Sequence, residues 1–288
     1  MLRAVSVLDA QQLTRTYGVR TVLGGVSLTL TEADRVGLVG ANGSGKSTLG
    51  RILAGVEEPD SGQVVSRRDA RVGYLPQEPV FEGDPTAREA ALSGLTRWME
   101  AKEAHDAISA KLAAGQGDTE ALLDQQAEAG ARIEQLGGWD RTHAAEAMLD
   151  KLGVRDHGQR VSSMSGGERR RVDLARLLVS RPDVAILDEP TNHLDVDTIE
   201  WLEGHLQHEQ PGALLLITHD RFFLDRVVKR TAELSGGELR IYEGGYEAYL
   251  EAKAEREAFE QRVEKNRQNF LRRELDWLRR QAPARTSK

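Results

Sequence analysis

Residues Gly40-Ala41-Asn42-Gly43-Ser44-Gly45-Lys46-Ser47 fit the pattern G-x-x-x-x-G-K-[ST], and no other stretch constrains the fold as much. Arg35-Val36-Gly37-Leu38-Val39 before it reads as a short buried strand, and Thr48 to Leu53 after it as the opening turns of a helix. A strand–loop–helix unit of this kind aims successive backbone N–H groups, and the positive end of a helix, at one spot. That spot suits the phosphates of a nucleoside triphosphate. In such a loop the lysine, here Lys46, reaches the β- and γ-phosphates, and the Ser47 hydroxyl ligates Mg²⁺. Gly40, Asn42, Gly43, Ser44, Gly45, Lys46, Ser47 and Thr48 are therefore the first candidate site residues.

Val184-Ala185-Ile186-Leu187-Asp188-Glu189 is an apolar run ending in two carboxylates. Asp188, at the C-terminal end of such a strand, can hold Mg²⁺ through its water shell, and Glu189 can polarise an attacking water as general base. Taken alone, the same residues also read as an acidic strand-to-helix turn. Ser165-Gly166-Gly167-Glu168 opens a further helix with the basic turn Arg169-Arg170-Arg171, which suggests a second anion site. One nucleotide does not need two such sites in one domain, so the second is expected to face a γ-phosphate held by another subunit. Leu234-Ser235-Gly236-Gly237-Glu238 repeats this motif, but it lies between two strand-like segments and reads as a hairpin turn. His205 and His208, at i, i+3 spacing, read as a solvated helical face with no third ligand for a metal.

Around these motifs, Val5 to about Gln77 alternates apolar and polar residues and reads as β-rich. Pro85 to about Gly153 is rich in Ala, Leu, Glu and Gln. Thr86–Ala114 and Thr119–Leu136, split by Gly115-Gln116-Gly117-Asp118, read as an antiparallel helical hairpin. Alternation then returns: strands at Val184–Leu187 and Ala213–Thr218, a helix at Val196–His208, a hairpin near Glu233–Tyr242. This implies an α/β fold with a mainly parallel sheet. The parts are residues 1–84 (β-rich, with the phosphate loop), 85–160 (helical insert), 161–245 (the rest of the core) and 246–288 (a long helix). From Tyr246 to Arg280 nothing breaks a helix, which would span about 50 Å. Val263, Phe270 and Trp277 fall seven apart along it, with Leu271, Leu275 and Leu278 beside them and Arg267, Arg272, Arg273, Arg279 and Arg280 around them.

Net charge is −7, yet residues 262–288 carry nine Lys or Arg against three Asp or Glu. An acidic body with a basic tail points to a localised contact with an anionic polymer. The alternative is a helix folded back on the core with its arginines solvated. There is no cysteine, so no disulfide framework and no thiolate metal site. No apolar run approaches the roughly 18–20 residues that a membrane helix needs.

The phosphate loop, Gln77, Ser165-Gly166-Gly167-Glu168, Leu187-Asp188-Glu189-Pro190-Thr191, Leu194-Asp195 and Thr218-His219-Asp220 stand in the order found in ABC-type ATPase domains. The chain resembles that family over residues 3–250, which implies ATP and Mg²⁺ as ligands and an antiparallel β-subdomain beside the parallel sheet. The resemblance further implies that Tyr17 stacks on adenine, although an aromatic packed in the β-subdomain is the alternative. It places Gln77 where it senses Mg²⁺ and the attacking water, His219 at the γ-phosphate, and Asp195 at the interface of two facing domains. Asp188 to Glu203 and Thr218 to Asp225 resemble the ABC-F family, and Arg272 to Lys288 the start of the linker in its Uup-like branch. This implies a soluble, cytoplasmic protein with two ATPase domains in tandem, a short Arm at 86–136 and a linker that approaches tRNA on the ribosome. The second domain is absent, so the chain is expected to be an N-terminal half, with weak or no ATPase activity unless it dimerises. Three functions follow: closure acting on the ribosome or tRNA, action on branched DNA, or the motor subunit of a membrane transporter. The last requires neither the insert nor the basic helix.

Overall fold

Three short apolar runs form strands buried at every residue: β3 (Arg35–Val39), β6 (Val184–Asp188) and β7 (Ala213–Ile217). Continuous burial of this kind belongs to a parallel sheet covered on both faces. The computed structural model describes residues 6–281, with side chains to Trp277. In it these strands are the centre of a six-stranded sheet. β5 (Val72–Leu75) pairs with β6, β6 with β7, β7 with β3 and β3 with β8 (Arg230–Ser235), all parallel. β9 (Glu238–Glu243) returns antiparallel on β8 and closes the edge.

Successive residues of the central strands serve two cores. Val184, Ile186, Leu215 and Ile217 face Leu49 and Ile52 of α1 (Lys46–Leu53) and a second sheet. That sheet is antiparallel, ordered β2 (Arg20–Thr31), β1 (Ser6–Tyr17), β4 (Ser61–Ser66). Ala185, Leu187, Leu214 and Leu216 face a helical layer on the other side. The fold is the α/β arrangement with an antiparallel β-subdomain that the motif order implied.

The helical layer comprises α2 (Ala87–Leu92), α3 (Thr96–Ala113), α4 (Thr119–Gln135), α5 (Thr142–Lys151) and α6 (Gly166–Ser180). The single helix expected over 86–114 is in fact two, broken at Ser93–Leu95. A Cβ on Gly94 would lie 2.2 Å from the carbonyl oxygen of Arg176 on α6, so only glycine lets the chain pass there. α3 and α4 pack side by side, joined by a bond from Gln126 Nε2 to Ser109 Oγ at 2.8 Å.

α7 (Val196–His208) starts at Asp195, whose carboxylate accepts from the Thr198 N–H at 2.8 Å. At its other end the buried Arg35 guanidinium donates to the carbonyls of Leu206 (3.1 Å), Gln210 (2.7 Å) and Gly212 (2.7 Å), which ties α7 to β7. The expected solvated histidine face does not exist. His205 is buried and stacked on Trp201 with ring centroids 5.2 Å apart, while His208 is exposed. Burial lowers the pKa of the His205 imidazole, against the pull of Glu209 at 3.1 Å.

α8 (Arg221–Val227) follows β7, and α9 (Tyr246–Gln281) follows β9. The first turns of α9 pack on the core. From Glu257 to Trp277 every residue is exposed, Val263, Phe270 and Trp277 included, so this part of the stripe does not fold back. The side chains of Leu278, Arg279 and Arg280, and residues 282–288, lie outside the described residues, as do residues 1–5. No described helix is long and apolar enough to cross a membrane.

Candidate active site

The phosphate loop turns between β3 and α1. A Cβ on Gly40 would lie 2.4 Å from the carbonyl oxygen of Leu234 on β8, so the loop can only run this close to the sheet with glycine there. α1 begins with Gly45 as its N-cap, without a side-chain cap, which leaves its first N–H groups free for an anion. Lys46 folds back over the loop and donates to the carbonyls of Gly40 (2.9 Å) and Ala41 (3.1 Å). Its burial lowers its pKa, with the charges of Glu189 and Asp188 working the other way.

The loop forms one wall of a cleft of about 730 Å³. Asn42, Gly43, Gly45, Ser47 and Thr48 line it together with Lys46. Across from them stand Gln77, Asp188, Glu189 and His219, and Tyr17 from the end of β1. Gly40 and Ser44 lie behind this wall, the Ser44 hydroxyl buried without a partner.

Asp188 ends β6, and both of its carboxylate oxygens are buried without a well-placed donor. Burial pushes its pKa up, opposed by the Ser47 hydroxyl beside it. Among the described residues no group of three or more His, Cys, Asp and Glu could hold a metal alone. A serine hydroxyl and one carboxylate with unsatisfied oxygens are what a hydrated Mg²⁺ needs from a protein when phosphates supply other ligands. These residues fit that ion.

Glu189 follows in the left-handed region at φ 54°, a conformation that costs an L-residue about 1–2 kcal/mol. Its N–H donates to the Ile217 carbonyl at 2.6 Å, which locks the turn to β7. Its carboxylate accepts from the Thr218 hydroxyl at 3.0 Å and the His219 N–H at 3.4 Å. His219 Nε2 stands 3.6 Å from the other carboxylate oxygen. The fold thus brings Glu189 and His219 together from positions thirty residues apart.

Ser165, Gly166 and Gly167 do not line this cleft. Ser165 caps α6 in a capping box: its hydroxyl accepts from the Glu168 N–H and donates to the Glu168 carboxylate at 2.7 Å. Gly166 borders a separate concavity of about 720 Å³, which also takes in Gln77, Asn192 and His193. Asp195 is exposed. Tyr17 is half-exposed and lines the cleft, with its hydroxyl 2.5 Å from Glu57 and the Arg15 guanidinium 5.1 Å from its ring centroid.

The basic turn after Ser165 does not act as a unit. Arg169 is exposed, and Arg171 donates to the His193 carbonyl at 3.2 Å. Arg170 is buried and points the other way. Its guanidinium donates to the carbonyls of Gln77, Asp188 and Glu189, the last at 2.8 Å, and so fixes the two segments that carry those side chains. Its donors are thus spent on carbonyls, although it borders the concavity beside Gly166. Arg20, Val22, Asn192 and Ile217 also line the cleft and were not among the candidates. Arg20 donates to the Gly43 carbonyl at 2.8 Å. The only signal for it was a lone arginine three residues after Tyr17.

A sequence model of the family described as "ABC transporter" matches residues 23–192, and a second model with the same description matches residues 232–288. The "Uncharacterized ABC transporter ATP-binding protein YfmR" of Bacillus subtilis is 42% identical over 99% of this chain and 45% of its own length. The "Energy-dependent translational throttle protein EttA" is 37% identical in Mycobacterium tuberculosis, over 98% of this chain and 50% of its own. In Escherichia coli K12 it is 38% identical over 93% and 48%. The chain spans about half the length of these curated relatives. Two solved structures, an ATP-binding subunit of an ABC transporter and a nucleotide-free ATP-binding cassette, share the fold. Each has a TM-score of 0.60, at 21% and 18% identity, covering 82% and 87% of this chain and 90% and 96% of their own. By the family match across the phosphate loop and Asp188-Glu189, the chain belongs to the ABC transporter family, as one of its ATP-binding, ATP-hydrolysing domains.

Proposed function

We propose that this chain is an ATPase domain of an ABC-F protein of the Uup-like branch, which uses Mg²⁺-ATP to close against a second ATPase domain and acts on the ribosome or its tRNA. The observation that carries the reading is the exposed half of α9, an apolar and arginine-bearing helix that stands clear of the core. A transporter motor subunit has no use for it. The relatives named as translational throttle proteins support the same direction.

In this reading Lys46 and the free N–H groups of α1 bind the phosphates, Ser47 and Asp188 hold the hydrated Mg²⁺, and Tyr17 stacks on the base. Gln77 orients the attacking water and Glu189 takes its proton, with His219 at the γ-phosphate. Ser165, Gly166 and Gly167 serve the nucleotide of the facing domain, and Asp195 lies at that interface. The position of Ser165 outside the cleft supports this division of labour.

The test is co-sedimentation with ribosomes of the Glu189→Gln form, alone and joined in tandem to a second ATPase domain, with branched DNA as competitor. Pelleting that needs ATP and survives the competitor supports action on translation. ATP-dependent retention on the DNA without pelleting would replace it with the DNA reading. Partition with membranes would restore the transporter reading.

A further inference from the structure

Lys46 and His219 line a second cavity besides the cleft, of about 350 Å³, whose opposite wall is the start of α9. Glu233 of β8 stands in that wall. It is 3% exposed and gathers four donors: the hydroxyls of Tyr242 (3.1 Å) and Tyr249 (3.0 Å), Lys253 Nζ (2.6 Å) and Arg256 Nη1 (3.1 Å). Three of the four come from α9. Charge-assisted bonds to a buried carboxylate are short and strong, and removing the cations leaves that charge stranded.

The residue next to Glu233 is Leu234, whose carbonyl presses on Gly40 at the head of the phosphate loop. The other side of the cleft grips α9 as well. α8 starts two residues after His219, and its Asp225 accepts from the Glu247 N–H at 3.1 Å, while the Arg221 guanidinium stands 5.8 Å from the Tyr246 ring centroid. The root of α9 is thus fastened both to the strand behind the phosphate loop and to the helix behind His219.

We propose that Glu233 is a positioning residue that couples nucleotide in the cleft to the direction of α9, within a single chain and without a facing domain. This rests on ATP binding in the cleft. Coupling between sites is reciprocal: whatever ATP does to α9 through Glu233, the grip on α9 does to ATP affinity.

The chain has no cysteine, so Glu200→Cys on α7 and Gln261→Cys on α9, both exposed, carry one pair of spin labels. The distance between them is measured with and without ATP, at chain concentrations where the protein is monomeric. ATP binding by the same sample is measured by fluorescence. In the parent chain ATP shifts the distance. In Lys253→Met/Arg256→Met, two changes on α9 that do not line the cleft, the shift is lost and ATP affinity changes by about fivefold or more. A merely structural clamp would loosen α9 and leave ATP affinity as it was, which would overturn the proposal. So would an ATP-binding parent chain whose distance does not move. Glu233→Gln should reproduce the paired change. Should the double variant fail to fold, Tyr249→Phe removes one donor and keeps the ring; unchanged distance response and affinity there overturn the proposal equally. A parent chain that binds no ATP is a different failure, that of the cleft itself, and the fluorescence arm reads it directly.

Discussion

Glu189 is held by bonds to Ile217, Thr218, His219 and Arg170 in a backbone conformation that an L-residue adopts only under constraint, and this fixes its carboxylate between the end of β6 and His219. Glu189→Gln keeps that shape and removes the proposed base. ATP binding should persist, while turnover falls by about 10²-fold or more; binding and steady-state hydrolysis on the same preparation check both halves. Asp173 on α6 is a second constrained carboxylate. Burial pushes its pKa up to about 6 despite Arg176 at 2.5 Å. Its pKa is higher in the folded chain than in the unfolded one, so its contribution to stability is full below about pH 3.8 and is lost as the pH rises through about 6. Urea titrations at pH 4 and pH 7 should show Asp173→Asn flattening the pH dependence by at most about 3 kcal/mol. The site side chains were legible because each sits in a local pattern: the phosphate loop, the strand ending in Asp188-Glu189, the strand before His219. Arg170, Arg20, Arg35 and Glu233 were not, because their partners lie far off in sequence and are mostly backbone carbonyls or donors that no spacing announces.

Elements were legible where their periodicity was enough to fix them. Val196–His208 and the strands at 184 and 213 fall where the pattern puts them, because a buried parallel strand must be apolar throughout. The break between α2 and α3 was hidden, since it is dictated by the Arg176 carbonyl and not by any residue of the helices themselves. Gly94→Ala should therefore cost about 1–3 kcal/mol in thermal unfolding, as overpacking does. The two Ser-Gly-Gly-Glu runs separate by element as well. Ser165 opens α6, whereas Ser235 ends β8 at the turn into β9, with Gly236 and Gly237 at φ 60° and 83°. Ser165→Ala should cost about 1 kcal/mol of stability through its lost cap and also suppress hydrolysis. Ser235→Ala should leave hydrolysis intact, and turnover assays on both variants decide the matter.

For the molecule as a whole, the cleft holds the phosphate loop with Asp188 and Glu189, while Gly166, next to Ser165, borders a neighbouring concavity. If a second copy must supply that serine, turnover per chain should rise with chain concentration and level off once dimers form. Turnover that is independent of concentration would mean that one cleft is sufficient. Beyond Arg256 the side chains of α9 are exposed as far as Trp277, and the helix continues to Gln281, about 36 Å at helical rise. It acts as a lever with a very short inner arm: a tilt of about 10° where Glu233 grips it sweeps the far end through about 6 Å. On the proposed coupling, a rearrangement of that size at Glu233 would be geared up to a stroke that an external partner can feel.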